Sequence, residues 1–289
     1  MDIFKRFMLF DKTVLVSVIS ARGIVDEAIK LHKLSRTASA ALGRTLIVGA
    51  FMAEQLKSPR HKLSITVNGG GGLGRIVVAG DYGCKVRGYV ENPAFELPLN
   101  AKGKLDVGGA VGRDGYISVI KDLGLKEPYA GRSALVDGEI ANDFAYYFTA
   151  SEQQPSAVAL GVLVDGGGCV AAGGIIMQIM PGCSDNTITV IEDIATNFTA
   201  VSSLMKDYTA DEIIEKYFGH FDIYALPDIL PVYKCNCNKD KIERTVLSLG
   251  REEAFDILNT EGKLELVCQF CGKKYDFDKT MLEELFSHT

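Results

Sequence analysis

Two short stretches near the C-terminal end decide how this chain is read. They are Cys235-Asn236-Cys237 and, thirty residues later, Cys268-Gln269-Phe270-Cys271-Gly272. Three explanations compete for four cysteines paired this closely: packed thiols, permanent disulfides, or a metal site. Packed thiols rarely arrive as two close pairs in one small module. Permanent disulfides fit poorly with a chain of seven cysteines and no secretory segment, because disulfide frameworks belong to oxidising compartments. Four soft ligands suit tetrahedral zinc. Cys268-x-x-Cys271-Gly272 reads as a knuckle in which the turn aims both sulfurs at one point. The spacing therefore predicts a closed zinc site of Cys235, Cys237, Cys268 and Cys271. The histidines, His32, His61, His220 and His288, are scattered and offer no further ligand. Catalytic zinc keeps an open position, so zinc hydrolysis is not expected.

The chain around these cysteines sets their role. From Lys234 onward fewer than sixty residues remain, with modest apolar content. Modules of that size are marginal without a staple, and metal binding there is folding energy. Cys235-x-Cys237 crowds two sulfurs that zinc would hold as thiolates, the form that reacts with oxidants. Each cysteine has a thiol neighbour with which to condense. Chemistry alone thus reaches a zinc-stapled module that peroxide could take apart. The remaining cysteines, Cys84, Cys169 and Cys183, have no close partner and read as small packed residues.

Upstream, the pattern is α+β. Val14, Val16 and Val18 alternate as in a strand. Ser35 to Lys57 reads as a long helix with Ser35 as N-cap and Pro59 past its end. Leu63–Val67, Arg75–Val78 and Lys85–Val90 are strand-like, and Ala157–Val164 and Val170–Met180 flank Asp165-Gly166-Gly167-Gly168 as a hairpin. Strands joined by turns imply antiparallel sheet with packed helices. Gly69, Gly71 and Gly74 match a dinucleotide fingerprint by letter, but strand-like Arg75-Ile76-Val77-Val78 follows where a helix is required, so this is a turn.

From Ser184 to Leu230 the chain changes character, with nine acidic residues against two lysines. Ile191, Ile194, Phe198, Val201, Leu204 and Met205 recur at helical spacing. Thr209-Ala210-Asp211-Glu212 is a capping box ahead of Ile213, Ile214, Tyr217 and Phe218, with Gly219 as the stop. Two short acidic amphipathic helices are expected, docked by default on the neighbouring domain and able to expose apolar faces if released. The boundaries read as 1–181 for an N-terminal domain, 182–230 for a helical linker, and 231–289 for the cysteine module.

The net charge of −6 comes without a basic stripe, which argues against a nucleic-acid binder. No run approaches the roughly 20 apolar residues of a membrane span. Phe7-Met8-Leu9-Phe10 stops at Asp11, too short for a signal segment. A cytoplasmic protein is expected. No nucleophile–base pair or paired carboxylates carry motif-level support, so an enzyme is not expected.

These residues resemble the bacterial redox-regulated holdase family, the thirty-three-kilodalton heat-shock chaperones. The likeness rests on the cysteine arrangement. It also rests on Thr37-Ala38-Ser39-Ala40-Ala41-Leu42-Gly43-Arg44, Gly103-Lys104-Leu105-Asp106-Val107, Val119-Ile120-Lys121-Asp122-Leu123-Gly124-Leu125, Tyr146-Tyr147, Ser151-Glu152-Gln153 and Met180-Pro181-Gly182. The resemblance implies an ATP-independent chaperone, inactive when reduced and zinc-bound, with one zinc per chain. It implies disulfides Cys235–Cys237 and Cys268–Cys271 on oxidation, zinc release, unfolding of the switch module, a metastable linker, binding of unfolded clients, and a homodimer when oxidised. The alternative is a zinc ribbon that binds RNA or the ribosome through Lys234, Lys239, Lys241, Arg244, Lys273 and Lys274. Acidic residues outnumber basic ones in that module eleven to nine.

Overall fold

The computed structural model describes residues Met1–Ser287, so His288 lies outside the described residues. The chain divides into two compact units, the first Met1–Lys234 and the second from Cys235 on.

The first unit opens with a hairpin, β1 (Ile3–Leu9) and β2 (Val14–Ser20), then α1 (Arg22–His32) and the long α2 (Arg36–Glu54). Strands β3 (Lys62–Asn68), β4 (Ile76–Asp81) and β5 (Lys85–Val90) follow, then the short α3 (Val107–Val111), β6 (Tyr116–Asp122), β7 (Tyr129–Ala134) and α4 (Ala141–Ala150). A second hairpin comprises β8 (Ser156–Asp165) and β9 (Gly168–Ile179). Next come α5 (Asp185–Ala195), α6 (Val201–Asp207), α7 (Ala210–Phe218) and two-residue strands β10 (Tyr224–Ala225) and β11 (Val232–Tyr233). Two sheets result, ordered β10-β1-β2-β9-β8 and β11-β5-β4-β3-β6-β7. Every pairing is antiparallel except β11 on β5. The expected α+β class with antiparallel sheets holds.

Helix α2 forms the centre of the main core. Ser35 caps it by accepting from the Ala38 amide, and every residue from Thr37 to Ala53 is buried except Arg44. Arg44 reaches Glu139 at 2.7 Å, which lets a charge sit in an otherwise apolar helix. No helix among the described residues is long and apolar enough to cross a membrane. Gly69–Gly74 runs into β4 and not into a helix, as expected of a turn.

The segment after Pro181 docks on the outer face of the first sheet. Val14, Val16 and Val18, the alternating valines, share a core cluster with Ile191, Phe198, Val201, Ile213 and Phe218. Ile19, pointing the other way, belongs to the main core. This is the two-residue period of a strand covered on both faces. Glycine makes the close approach possible: a Cβ on Gly161 would lie 2.2 Å from the Ser202 nitrogen, and one on Gly173 would lie 2.7 Å from Met205 Sδ. Asp211 and Asp228 pair with Lys5 at 3.0 and 2.8 Å, so two of the segment's acids serve docking.

Two expectations need correction here. The segment holds three α-helices, not two. Thr196 Oγ1 donates to Asp193 O at 2.6 Å and Asn197 Nδ2 to Ile194 O at 3.0 Å. These side chains capture the last carbonyls of α5, so the apolar stripe continues across a 3₁₀ turn at Thr196–Phe198 into α6. Pro231–Lys234 also falls in the first unit, because the Val232 amide donates to Cys84 O and the Lys234 amide to Val86 O at 2.8 Å.

The second unit contains α8 (Lys239–Leu249), α9 (Arg251–Glu261), a hairpin of β12 (Leu264–Val267) and β13 (Lys274–Phe277), and α10 (Lys279–Ser287). Among the described residues, six form its buried apolar centre: Val246, Ala254, Leu258, Leu264, Phe277 and Leu282. That is a small core for an independent unit.

Candidate metal centre

All four predicted sulfurs come together. Their Sγ atoms lie within 4.8 Å of one another. Cys235 and Cys268 are 3.7 Å apart, and Cys237 and Cys271 are 3.5 Å apart. A disulfide would be about 2.05 Å, and all four are free thiols. Metal–sulfur bonds of about 2.3 Å in a tetrahedron place sulfurs about 3.8 Å apart. The two measured separations are close to that edge, so the donor set fits a tetrahedral, thiophilic ion.

Local sequence explains the placement. The Cys268–Cys271 knuckle is the turn of the β12–β13 hairpin. The Cys268 amide donates to Lys273 O at 2.9 Å, and the Gly272 amide folds back to Cys268 O at 2.8 Å. That fold requires the left-handed backbone at Gly272, φ +69, which glycine adopts without strain. On the other arm, Asn238 caps α8 by accepting from the Lys241 amide, which ends the Cys235–Cys237 stretch. Lys241 Nζ also holds Asn236 O at 2.9 Å.

The four thiols are not equivalent. Burial pushes the Cys235 thiol up, although the Cys237 amide donates to it. Burial also raises Cys271, opposed by the Lys273 amide. Burial acts on Cys237 in the same sense, but donation from the Tyr275 hydroxyl at 3.2 Å and from neighbouring thiols outweighs it and lowers Cys237 to about 7. Sequence reasoning missed Tyr275. The available signal was its position in β13, four residues past Cys271, on the strand that leaves the knuckle.

The three solitary cysteines behave differently. Cys84 and Cys169 are buried, and desolvation raises each to about 12, which keeps them as inert thiols. Cys183 is half-buried with its sulfur 3.8 Å from Ser184 O. None joins the cluster.

Comparisons with known proteins agree over nearly the whole chain. The family model described as Hsp33 protein matches residues 2–278. A 33 kDa chaperonin of Clostridium tetani is 45% identical over 265 residues, covering 91% of this chain and 90% of the relative. A 33 kDa chaperonin of Caldanaerobacter subterraneus subsp. tengcongensis is 42% identical over 278 residues, covering 96% and 95%. The crystal structure of the 33 kDa chaperonin, an Hsp33 homolog, from Thermotoga maritima superposes with a TM-score of 0.92 at 38% identity, covering 99% and 98% of the two chains. With four clustered thiols at its C-terminal end and a family match from residue 2 to residue 278, this chain belongs to the Hsp33 family.

Proposed function

We propose that the protein is a redox-regulated, ATP-independent holdase whose switch is the four-cysteine centre. The observation that carries the reading is the set of four sulfurs within 4.8 Å of one another in a unit whose buried apolar cluster has six members among the described residues. Cys235, Cys237, Cys268 and Cys271 hold one zinc ion in the reduced protein. Zinc supplies charge that keeps the four sulfurs as thiolates and contributes folding free energy to the unit.

Oxidation removes the donor set. Two thiolates give two electrons to a peroxide, one S–S bond forms, and the peroxide takes up protons and leaves as water. Repeated at the second pair, this yields Cys235–Cys237 and Cys268–Cys271 and leaves no thiolate ligand. The metal is lost and the small core no longer keeps the unit folded. Segment 182–230 is the bistable element. Its end is anchored by β11, whose Tyr233 hydroxyl donates to Gly88 O at 3.0 Å, two residues before Cys235. Loss of order beyond Lys234 loosens that anchor, and α5–α7 lift from the valine face of β2. The uncovered apolar surface then holds unfolding clients by non-directional contact. No bond is made or broken in the client, so the protein is not an enzyme. The oxidised form is a homodimer, and the protein works in the cytoplasm without nucleic acid or membrane as partner.

Cations near the cysteines give little support to RNA binding. Lys241 is engaged with Asn236 O, Lys274 with Glu265 at 3.0 Å and Lys239 with Glu243 at 3.5 Å.

The test uses reduced, zinc-loaded protein. Peroxide is added at mildly elevated temperature, released zinc is followed with a chromophoric chelator, and aliquots are assayed for suppression of thermal aggregation without ATP. Zinc release that rises together with holding activity supports the switch. Zinc that stays, or leaves with no gain of activity, makes the centre a structural staple only.

A further inference from the structure

We propose that Met205 is a modification site, a thioether whose oxidation to the sulfoxide loosens the docked segment 182–230 without touching the zinc centre. The site stands on packing; its consequence for clients rests on the holdase reading. Helix α6 comes down on backbone. Gly161 of β8 and Gly173 of β9 face each other across the ladder, and α6 lies on this pair, with Ser202 over Gly161 and Met205 over Gly173. A Cβ on Gly173 would lie 2.7 Å from Met205 Sδ and 2.9 Å from its Cγ. The Ile19 carbonyl crowds the same seat. Met205 packs there with Leu204 against the cluster of Val18, Ile175 and Val201.

A thioether suits this seat, because it is apolar, polarizable and needs no hydrogen-bond partner. A sulfoxide does not. Its oxygen is a strong acceptor that must be paired when covered, and the crowding Ile19 carbonyl is itself an acceptor. Bare glycine backbone brings the helix so close that an added atom has to push it away. Met180 differs, since the Gln154 side-chain amide lies 4.0 Å from its sulfur and offers a donor. Met205 is also within reach of solvent. It is half-buried and lines a surface groove of about 370 Å³ with Ile3, Ser20 and Tyr208, whereas Met52 and Met177 are buried. The step is oxygen transfer from a peroxide or hypochlorous acid. The sulfur gives two electrons, the O–O or O–Cl bond breaks and an S–O bond forms. Water leaves from the peroxide, chloride and a proton from hypochlorous acid.

The test takes full-length protein, treats it with hypochlorous acid, and returns it to dithiothreitol and zinc, which restores disulfides to thiols but leaves sulfoxides in place. Peptide mass maps the sulfoxides, and amide hydrogen exchange reads 201–218. Met205 is expected to oxidise ahead of Met52 and Met177, and exchange across 201–218 to accelerate about tenfold, as for a polar group covered without a partner. Aggregation suppression should then persist in reductant. Methionine sulfoxide reductases should reverse both effects, and Met205→Leu, close in volume, should show neither. Met205→Gln in protein never exposed to oxidant puts a polar side chain on the same seat and should accelerate exchange by itself. The proposal is overturned if Met205 stays a thioether, if its sulfoxide and Met205→Gln both leave exchange unchanged, or if Met205→Leu retains the effect. Accelerated exchange that depends on Met205 but brings no suppression of aggregation would instead reject the holdase reading and leave the modification site standing.

Discussion

The hydroxyl of Tyr275 donates to Sγ of Cys237 over 3.2 Å, and this contact separates Cys237 from the other three thiols. A lowered thiol populates its thiolate above about pH 7, whereas Cys235 and Cys271 are raised. Tyr275→Phe removes the donor, so the folded unit stabilises the Cys237 thiolate less. Zinc affinity of the reduced protein, read by competition with a chromophoric chelator at pH 7, should fall about tenfold, since hydrogen bonds to charged groups contribute about 1.5–3 kcal/mol. Unchanged zinc affinity would remove Tyr275 from the account.

Cys268 is the most covered of the four, 9% exposed, and serine there would offer a protonated hydroxyl in place of a soft thiolate. Cys268→Ser in reductant should weaken zinc binding by at least about a hundredfold, more than a typical outer-sphere change. It should also render the chain beyond Lys234 sensitive to limited proteolysis. Zinc content by atomic absorption and a protease time course read both effects. Full zinc affinity with full protection would contradict a four-thiolate site.

Phe218 is fully buried, with its ring 5.2 Å from that of Phe7 and 6.1 Å from that of Phe198. Phe218→Ala should weaken docking of α7 by about 3 kcal/mol, the lower end for a buried phenylalanine. Amide hydrogen exchange across 201–218 should then accelerate while that of β2 and β9 holds, and holding activity should appear at lower oxidation. Unchanged exchange would mean that this aromatic cluster does not set the docking equilibrium.

Asp81 lies between Lys62 at 2.9 Å and Arg87 at 2.6 Å. Burial works to raise its carboxyl, but hydrogen bonds from Lys62 and Arg87 prevail and hold it below the usual range. A depressed folded value means the stabilisation is complete above the unfolded carboxyl value and lost as pH falls through the folded one. Asp81→Asn should therefore destabilise by about 3 kcal/mol at pH 7, as when one partner of a buried pair is removed. The gap from wild type should close toward pH 2. Urea midpoints at the two pH values decide it, and an equal gap at both would show that ionisation of Asp81 is not involved.

Much of this was legible before the fold was known. Ser35 as a cap, the Thr209–Glu212 capping box and the Gly166-Gly167 turn depend on residues within four positions of each other, and local chemistry decides such features. The break between α5 and α6 was not legible. Ile191, Ile194, Phe198 and Val201 keep their apolar spacing through it, and periodicity cannot see Thr196 and Asn197 turning their side chains onto the carbonyls of α5.

Two close cysteine pairs in one small module were enough to point to four clustered thiols, because that pattern leaves few chemical readings. The apolar stripe of the acidic segment likewise pointed to docking on the neighbouring domain, though not to the valines of β2 as the surface it covers. Only the tertiary structure decided that the sulfurs stand 3.5 and 3.7 Å apart across the pairs, that Tyr275 joins them, and that Gly161 and Gly173 let α6 lie against bare backbone. It alone left the edge of β8 open. Each of these depends on groups far apart in the chain, and their separation in space is set by packing, which no local pattern encodes.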